Sequence, residues 1–215
     1  MMDDHTIRRI QDPLSEQAAS GQLIDREFGY NVSTLGRQIR LTNDGLGAER
    51  MDPDRVPDNG VVYGAHCLKG RAEFEVKIVS HGTRWSGKSI QFGVMRCKKG
   101  ASVKSGPSTC SKSQRVIWVD HQLHDSTTTP GSGKQPEYGY VNLSDLRVGD
   151  CVGLWLSKDG VLEFTVNGES QGIAGKKIYT RNTDVYAVVD HYGSCVATVI
   201  TKAGELTSIH SPIDL

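Results

Sequence analysis

The feature of this sequence that most constrains its fold is an alternation of apolar and polar side chains with a period of two. In the segment AEFEVKIV, Phe74, Val76 and Ile78 alternate with charged residues, which is the pattern of a β-strand that buries one face. The segments SIQFGVM and VLEFTV repeat this pattern. After residue 26, no stretch of about ten residues shows the apolar stripe of an amphipathic helix. The sequence therefore predicts an all-β fold, with a two-sheet antiparallel β-sandwich as the simplest architecture.

Two connections between predicted strands contain strong turn signals. Asp159-Gly160 separates two alternating runs, and Asn167-Gly168 follows the second run. Because both dipeptides readily adopt the positive φ angles of tight turns, we expect a three-stranded meander over the segment CVGLWLSKDGVLEFTVNGESQG. The segments VYAVVD and CVATVIT, which HYGS separates, predict a further hairpin.

The sequence predicts one folded domain between two terminal segments. Residues 1–26 are polar, the alternating strands lie within residues 27–202, and residues 203–215 form a C-terminal tail. A domain of this length buries enough apolar surface to fold without disulfides or metal ions.

Charge and cysteine content argue against several functional classes. The chain carries 25 basic and 25 acidic residues, so no overall charge attracts it to nucleic acid or to membranes. The N-terminal residues lack the apolar core of a signal peptide, and no apolar run approaches the ~18 residues of a membrane span, so we expect a protein that is not transmembrane. The five cysteines are scattered without a Cys-x-x-Cys pair, which argues against a disulfide framework or a zinc site. Together these features predict a reduced protein of the cytosol or the nucleus, and we expect a cytoplasmic one.

The segment from Gly82 to Ser89 matches the phosphate-binding pattern G-x-x-x-x-G-K-[ST]. That pattern binds phosphate because the loop opens into a helix whose N-terminus holds the anion. Here the segment that follows is SIQFGVM, which alternates like a strand. We therefore expect no nucleotide site at Lys88.

Two further clusters resemble a metal site and a catalytic site. His121 and His124 are three residues apart and lie beside acidic residues, but fewer than three well-placed ligands seldom bind a metal ion. Asp190, His191 and Cys195 suggest a nucleophile and its base, but residues this close together in a hairpin are poorly placed for proton transfer. The sequence thus predicts no catalytic residue, no metal ion and no cofactor, and we expect that the chain is not an enzyme.

Two segments interrupt the alternating pattern. Residues 96–115 contain six basic residues and no acidic one. Such a run usually faces water, and the alternative is an attraction for acidic peptides or a weak contact with anionic lipid. Residues 124–137 are rich in Ser, Thr, Gly and Pro and predict a long loop.

The aromatic residues divide into candidates for the core and for the surface. Phe74, Phe92, Phe164 and Trp155 lie within strand-like runs, and we expect them in the core. Exposed Trp, Tyr and Arg supply much of the binding energy of protein interfaces. The surface candidates, at strand ends or in loops, are Trp85, Trp118, Tyr138, Tyr140 and Tyr192.

Several motifs together resemble the neuralized homology repeat, the domain that names the Neuralized family. The segment GRQIRLTNDGLGAER is similar to the motif G-x-N-[I/V]-x-[L/I]-S-x-[D/N]-x-x-x-A-x-R that opens this domain, with Gln38 and Thr42 in place of Asn and Ser. The segments FEVKI, WSG and FGV, and later LRVGD, VNG and VYAVVDHYG, are similar to the motifs that follow. The resemblance covers about residues 27–202.

The resemblance implies an SPRY-like jelly roll that acts as a protein-interaction module, and family members often present substrates to ubiquitin ligases. We therefore expect a protein or peptide partner and, as further partners, ubiquitin-ligase components, since the chain lacks the clustered Cys and His of a RING finger. Our hypothesis is that loops at one end of the sandwich form a shallow groove whose anchors are Arg84, Trp118, Tyr138 and Tyr192. The alternative is a lectin-like domain that binds sugars or anionic lipid headgroups.

Overall fold

A computed structural model describes residues 29–31, 35–52, 60–82, 90–99, 115–119, 123–125, 142–179 and 182–205. Within these ranges the chain forms twelve β-strands, and its only helices are two single 3-10 turns at Asn43–Gly45 and Leu143–Asp145. The strands are β1 (Ile39–Thr42), β2 (Gly47–Arg50), β3 (Val61–Tyr63), β4 (Ala72–His81), β5 (Gln91–Lys98), β6 (Arg115–Val119), β7 (Leu123–Asp125), β8 (Cys151–Leu156), β9 (Leu162–Val166), β10 (Glu169–Gly175), β11 (Thr183–Asp190) and β12 (Cys195–Glu205).

The strands form two antiparallel sheets. The seven-stranded sheet has the order β1-β2-β12-β4-β8-β9-β10, and the five-stranded sheet has the order β3-β11-β5-β6-β7. The inward faces of both sheets contribute to one continuous cluster of buried apolar side chains. This arrangement confirms the all-β, two-sheet antiparallel sandwich that the alternating pattern predicts.

Three phenylalanines mark the centre of the core. Phe92, from the five-stranded sheet, lies between Phe74 and Phe164, with ring centroids 6.2 Å apart in both pairs. All three rings are at least 97% buried, so the expectation that they form the core is confirmed. Aromatic pairs at such distances add about 1 kcal/mol each to the stability that the buried area provides.

The predicted meander is confirmed as the consecutive strands β8, β9 and β10. Gly160, Asn167 and Gly168 all have positive φ angles, of 76°, 51° and 82°. The side chain of Asn167 accepts a hydrogen bond from the backbone N–H of Cys151 at 2.8 Å and thereby ties the second turn to the start of β8. The local turn signals were therefore sufficient to predict this unit.

The predicted hairpin between VYAVVD and CVATVIT is wrong. The first run is β11, which pairs with β3 and β5, whereas the second is β12, which pairs with β2 and β4 in the other sheet. Gly193, with φ 84°, lies in the connection that crosses between the sheets. Alternation shows which face of a strand is buried, but both sheets of a sandwich bury one face, so it does not assign a strand to a sheet.

The expectation that Trp155 lies in the core is also wrong. Trp155 is half-buried, and its register partners are Glu73 on β4 and Glu163 on β9. The inward positions of β8 are Val152, Leu154 and Leu156. Because the run VGLWL is apolar at both inward and outward positions, its pattern does not reveal which face Trp155 occupies.

The strand expected after the glycine-rich segment is present. β5 pairs with β11 on one side and with β6 on the other, so its backbone is extended where a phosphate-binding loop requires a helix. Lys88 lies outside the described residues. No helix in the described ranges has the length and apolarity needed to cross a bilayer.

Candidate functional site

Trp118 lies on the outward face of β6 and is held there by contacts on two sides. Its ring stacks on His124 of β7, with centroids 4.7 Å apart and an angle of 11° between the planes. On the other side, Gly93 of β5 is its register partner, and a Cβ atom there would lie 2.7 Å from Trp118 Cα and would overlap the Ile117 carbonyl oxygen. Trp118 therefore occupies its place because its neighbour is glycine.

The indole of Trp118 is half-buried rather than fully exposed. Its Nε1 atom is shielded from solvent, and it has no hydrogen-bond partner among the residues that the structure describes. The outward face of the five-stranded sheet also carries buried apolar side chains, against which Trp118 and Tyr186 pack. The members of this outer cluster are Val61, Tyr63, Met95, Cys97, Val116 and Val188. Trp118 is therefore partly exposed and rests on an apolar support.

Tyr192 lies in the connection between β11 and β12 and is half-buried. Its backbone N–H donates a hydrogen bond to the Asp190 carbonyl at 2.8 Å. β11 ends at Asp190, opposite Gln91, and β6 ends at Val119, opposite Phe92. Tyr192, just after β11, and Trp118, on β6, therefore lie at the same end of the five-stranded sheet, with β5 between these two strands.

The other two predicted anchors, Arg84 and Tyr138, lie outside the described residues. The same holds for Trp85, Tyr140 and His121 and for residues 100–114 of the basic segment. The assignment of Arg84 and Tyr138 to a binding surface stays a prediction.

The residues Asp190, His191 and Cys195, which suggest a nucleophile and its base, are all buried. The two ring nitrogens of His191 are occupied by other groups, with Nδ1 3.1 Å from the Gly60 carbonyl oxygen and Nε2 2.9 Å from Thr198 Oγ1. A nucleophile needs a base within hydrogen-bond reach and access for substrate. The geometry instead makes His191 a structural hydrogen-bonding group.

Burial sets the charge state of this cluster. It lowers the pKa of His191 to about 4 and raises the pKa of the Cys195 thiol to about 12, because both charged forms are disfavoured away from water. Burial also raises the pKa of Asp190 to about 7, although the nearby charge of Arg50 opposes this shift. At neutral pH the imidazole and the thiol are therefore uncharged, which suits a protein interior.

Arg50 is a buried charged residue that the sequence pattern does not single out. It is 1% exposed, and its guanidinium donates a hydrogen bond to the Gly193 carbonyl at 2.9 Å. This bond ties β2 to the connection that crosses between the sheets. In the part of the chain that the structure describes, no group of three or more His, Cys, Asp or Glu residues is arranged to hold a metal ion.

A small, mostly apolar depression opens at the opposite end of the sandwich from Trp118 and Tyr192. Its lining includes Ala65, Leu68, Phe74 and Ala203, and Lys69 lies among the polar residues around it. Cys67 also lines it, where its thiol donates a hydrogen bond to Asp184 Oδ1 at 3.5 Å. No local sequence pattern indicates this depression, because its walls come from segments that are distant along the chain.

The sequence of this chain matches the model of a known protein family. The family model described as Neuralized matches residues 31–202. The chain belongs to the Neuralized family. The resemblance that the sequence motifs predict is thereby confirmed.

Solved structures of Neuralized and SPRY domains share this fold. The crystal structure of the Neuralized NHR1 domain from Drosophila melanogaster has a TM-score of 0.55 at 17% identity, with 81% of this chain and 98% of that chain covered. The solution structure of the NHR domain in Neuralized from Drosophila melanogaster has a TM-score of 0.55 at 18% identity, with coverage of 81% and 91%. The SPRY domain of human HERC1 has a TM-score of 0.54 at 16% identity, with coverage of 84% and 100%.

These similarities show an SPRY-like β-sandwich of the Neuralized type. Domains of this class are protein-interaction modules.

Proposed function

We propose that this domain recognises a protein partner through the end of the five-stranded sheet that carries Trp118 and Tyr192, and that it presents this partner for ubiquitin ligation. Arg84 and Tyr138 belong to the proposed anchor set on the sequence argument alone. The single observation that carries the proposal is the fixed, half-buried position of Trp118 between Gly93 and His124.

A preformed aromatic anchor favours binding because little side-chain freedom is lost when the partner docks. Trp118 already has its ring plane fixed by the stack on His124 and its backbone fixed by register with β5. Aromatic anchors of this kind commonly contribute about 2 kcal/mol or more to an interface.

We infer the link to ubiquitin ligation from the family membership. In this proposal, another chain or another segment supplies the ligase. The four described cysteines are free thiols, which agrees with our proposal that the protein acts in the reducing cytoplasm.

Affinity purification of the full chain, followed by mass spectrometry, tests this proposal. The variant Trp118→Ala removes the anchor, and Trp155→Ala is the matched control because Trp155 is a half-buried tryptophan on the outward face of the other sheet. We expect partners that include ligase subunits, which are retained by Trp155→Ala and lost from Trp118→Ala. Equal recovery of partners by both variants would contradict the proposed surface, and recovery of partners without any ligase subunit would contradict the adaptor role.

A further inference from the structure

The end of the sandwich opposite to Trp118 is built from four segments that hydrogen-bond to each other. They are residues 64–71, 98–99, 157–160 and the described part of 176–184, which is 176–179 and 182–184, and we call them together the cationic end. Tyr179 Oη donates to the Gly70 carbonyl (3.0 Å), and the Ile178 N–H donates to the Gly160 carbonyl (3.0 Å). The Lys99 N–H donates to the Asn182 carbonyl (2.9 Å). At the edge of this end, the Leu68 N–H donates to the Val185 carbonyl (2.7 Å). These segments therefore form one continuous surface, although they are far apart in sequence.

This surface carries a marked excess of positive charge. Its described residues include seven Lys and Arg side chains, all exposed, against the two carboxylates of Asp159 and Asp184, and one further acidic residue, Glu205, lies beside it as the register partner of Ala72. The seven are Lys69, Arg71, Lys98, Lys99, Lys158, Lys176 and Lys177. The two ion pairs described, Arg40–Glu49 and Lys202–Glu75, involve none of them. Because the whole chain has a formal charge of zero, the excess is a local property of this end.

The apolar depression opens within the cationic end. Lys69 borders it directly, and Leu68, Ala65 and Phe74 supply its apolar lining. One of the two carboxylates, that of Asp184, already accepts a hydrogen bond from Cys67. An apolar depression that Lys69 borders, on a surface with an excess of positive charge, matches a ligand in which one apolar group is flanked by negative charges.

We propose that the cationic end binds an acidic peptide segment, in which one apolar side chain enters the depression and flanking Asp or Glu residues face the lysines. A concave apolar site receives a side chain, whereas insertion into a membrane requires apolar side chains that protrude. The exposed large apolar residues of the described chain lie elsewhere, with Met51 and Val148 at the opposite end and Ile173 within β10. A peptide therefore fits this surface better than a lipid bilayer.

This binding surface lies at the other end of the sandwich from Trp118 and Tyr192, so it goes beyond the proposed function and does not depend on it. A domain with both surfaces would hold two protein segments at once. Failure of either surface in experiment leaves the other intact, which keeps the two proposals separately testable.

Fluorescence anisotropy with the full chain tests the inference. The probes are a labelled synthetic peptide of Glu and Asp with a single central Leu, the same peptide with Gly in place of Leu, and vesicles of phosphatidylcholine with phosphatidylserine. We expect the Leu peptide to bind and the Gly peptide to bind at least about fivefold more weakly. Raising the NaCl concentration from about 50 mM to about 500 mM should weaken the binding of both peptides.

Charge-reversal variants locate the surface. We expect Lys69→Glu combined with Lys176→Glu to weaken binding of the Leu peptide by about tenfold or more, while Arg147→Glu, an exposed arginine at the opposite end, has little effect. Ala65→Leu, which enlarges a residue lining the depression, should reduce the preference for Leu over Gly while circular dichroism confirms folding. The inference would be overturned if the double variant Lys69→Glu/Lys176→Glu and the control Arg147→Glu lost affinity for the Leu peptide equally. It would also be overturned if neither peptide bound the wild type. Binding of the vesicles alone would overturn it in favour of a membrane surface.

Discussion

His191 Nε2 lies 2.9 Å from Thr198 Oγ1, and this contact joins the crossing connection to a strand of the seven-stranded sheet. The same hydroxyl lies 3.0 Å from the Tyr30 hydroxyl, while His191 Nδ1 faces the Gly60 carbonyl oxygen at 3.1 Å. A carbonyl oxygen only accepts hydrogen bonds, so Nδ1 of neutral His191 must carry the proton and Nε2 must be an acceptor. The Thr198 hydroxyl therefore donates to His191 Nε2, and the Tyr30 hydroxyl donates to Thr198 Oγ1. This chain of bonds satisfies three buried polar side chains between the two sheets.

The first expectation concerns the centre of this chain. Thr198→Val should lower the free energy of unfolding by about 2–4 kcal/mol, because it leaves the Tyr30 hydroxyl and His191 Nε2 buried without their shared partner. Thr201→Val is the control, since Thr201 is exposed and the Glu75 carboxylate that its hydroxyl contacts keeps the Lys202 ammonium as a partner. Urea unfolding followed by fluorescence measures both effects. A loss of less than about 1 kcal/mol in Thr198→Val would show that the chain of bonds contributes little.

The second expectation concerns the pH dependence of stability. Burial raises the pKa of Asp190 from 3.8 to about 7, so its contribution to stability is fully present below about pH 4 and is lost as the pH rises toward 7. Burial lowers the pKa of His191 from 6.5 to about 4, so its contribution is present above pH 6.5 and is lost as the pH falls toward 4. The two contributions oppose each other between pH 4 and 6.5, and the wild type should therefore show little net change there.

The variant Asp190→Asn separates the two contributions. Without the Asp190 carboxyl, only the His191 contribution remains, so the stability of the variant should increase with pH between 4 and 6.5. Between pH 4 and 7, the free energy of unfolding of the variant should rise by about 2–4 kcal/mol relative to that of the wild type. This follows because a pKa difference of one unit corresponds to ~1.4 kcal/mol. Denaturant unfolding at several pH values measures this difference. Parallel stability curves for variant and wild type would contradict the shifted pKa of Asp190.

Gly93 provides a third test, because it controls the position of Trp118. Gly93→Ala should destabilise the domain by about 1–3 kcal/mol or more, since the new Cβ would collide with the Ile117 carbonyl and with Trp118 Cα. Gly64→Ala is the matched control, because its Cβ would meet Phe74 and Ala187 at the ordinary distances of 3.5 and 3.6 Å. Thermal unfolding compares the two variants, and equal melting temperatures would be inconsistent with the close β5–β6 contact.

The thiols provide a fourth test, which needs no substitution. Burial raises the pKa of Cys195 to about 12, and it also raises the pKa of the half-buried Cys67 and Cys151. Because only the thiolate reacts, native protein at pH 8 should leave Cys195 unmodified by iodoacetamide, while Cys67 and Cys151 react slowly. Peptide mass spectrometry identifies each site. Rapid alkylation of Cys195 in the folded protein would show that this end of the sandwich opens readily.

Features that depend on neighbouring residues could be predicted from the sequence. The inward positions of β4, β5 and β9 follow from alternation, and the β8–β10 meander follows from the turn residues Asp159-Gly160 and Asn167-Gly168. The family also could be predicted, because its motifs occur as short, ordered segments along residues 31–202.

Features that depend on how distant segments meet could not be predicted in this way. β11 and β12 lie in different sheets, and His191 in their connection is buried beside Gly60 and Thr198; no local pattern reveals those contacts. The cationic end is similar, because each of its segments contributes only one or two of the lysines and arginines. For the candidate site, the sequence indicated Trp118 and Tyr192 by residue type, but the stack on His124 required the pairing of β6 with β7.

Hydrogen–deuterium exchange of the full chain, with and without a partner recovered by affinity purification, tests the account most directly. If the partner docks on the end of the five-stranded sheet, amides in β6, β7 and residues 190–195 should exchange more slowly in the complex, and Trp118→Ala should abolish this protection. Protection confined to the seven-stranded sheet around Trp155, with no change in β6 or β7, would contradict the proposed recognition surface.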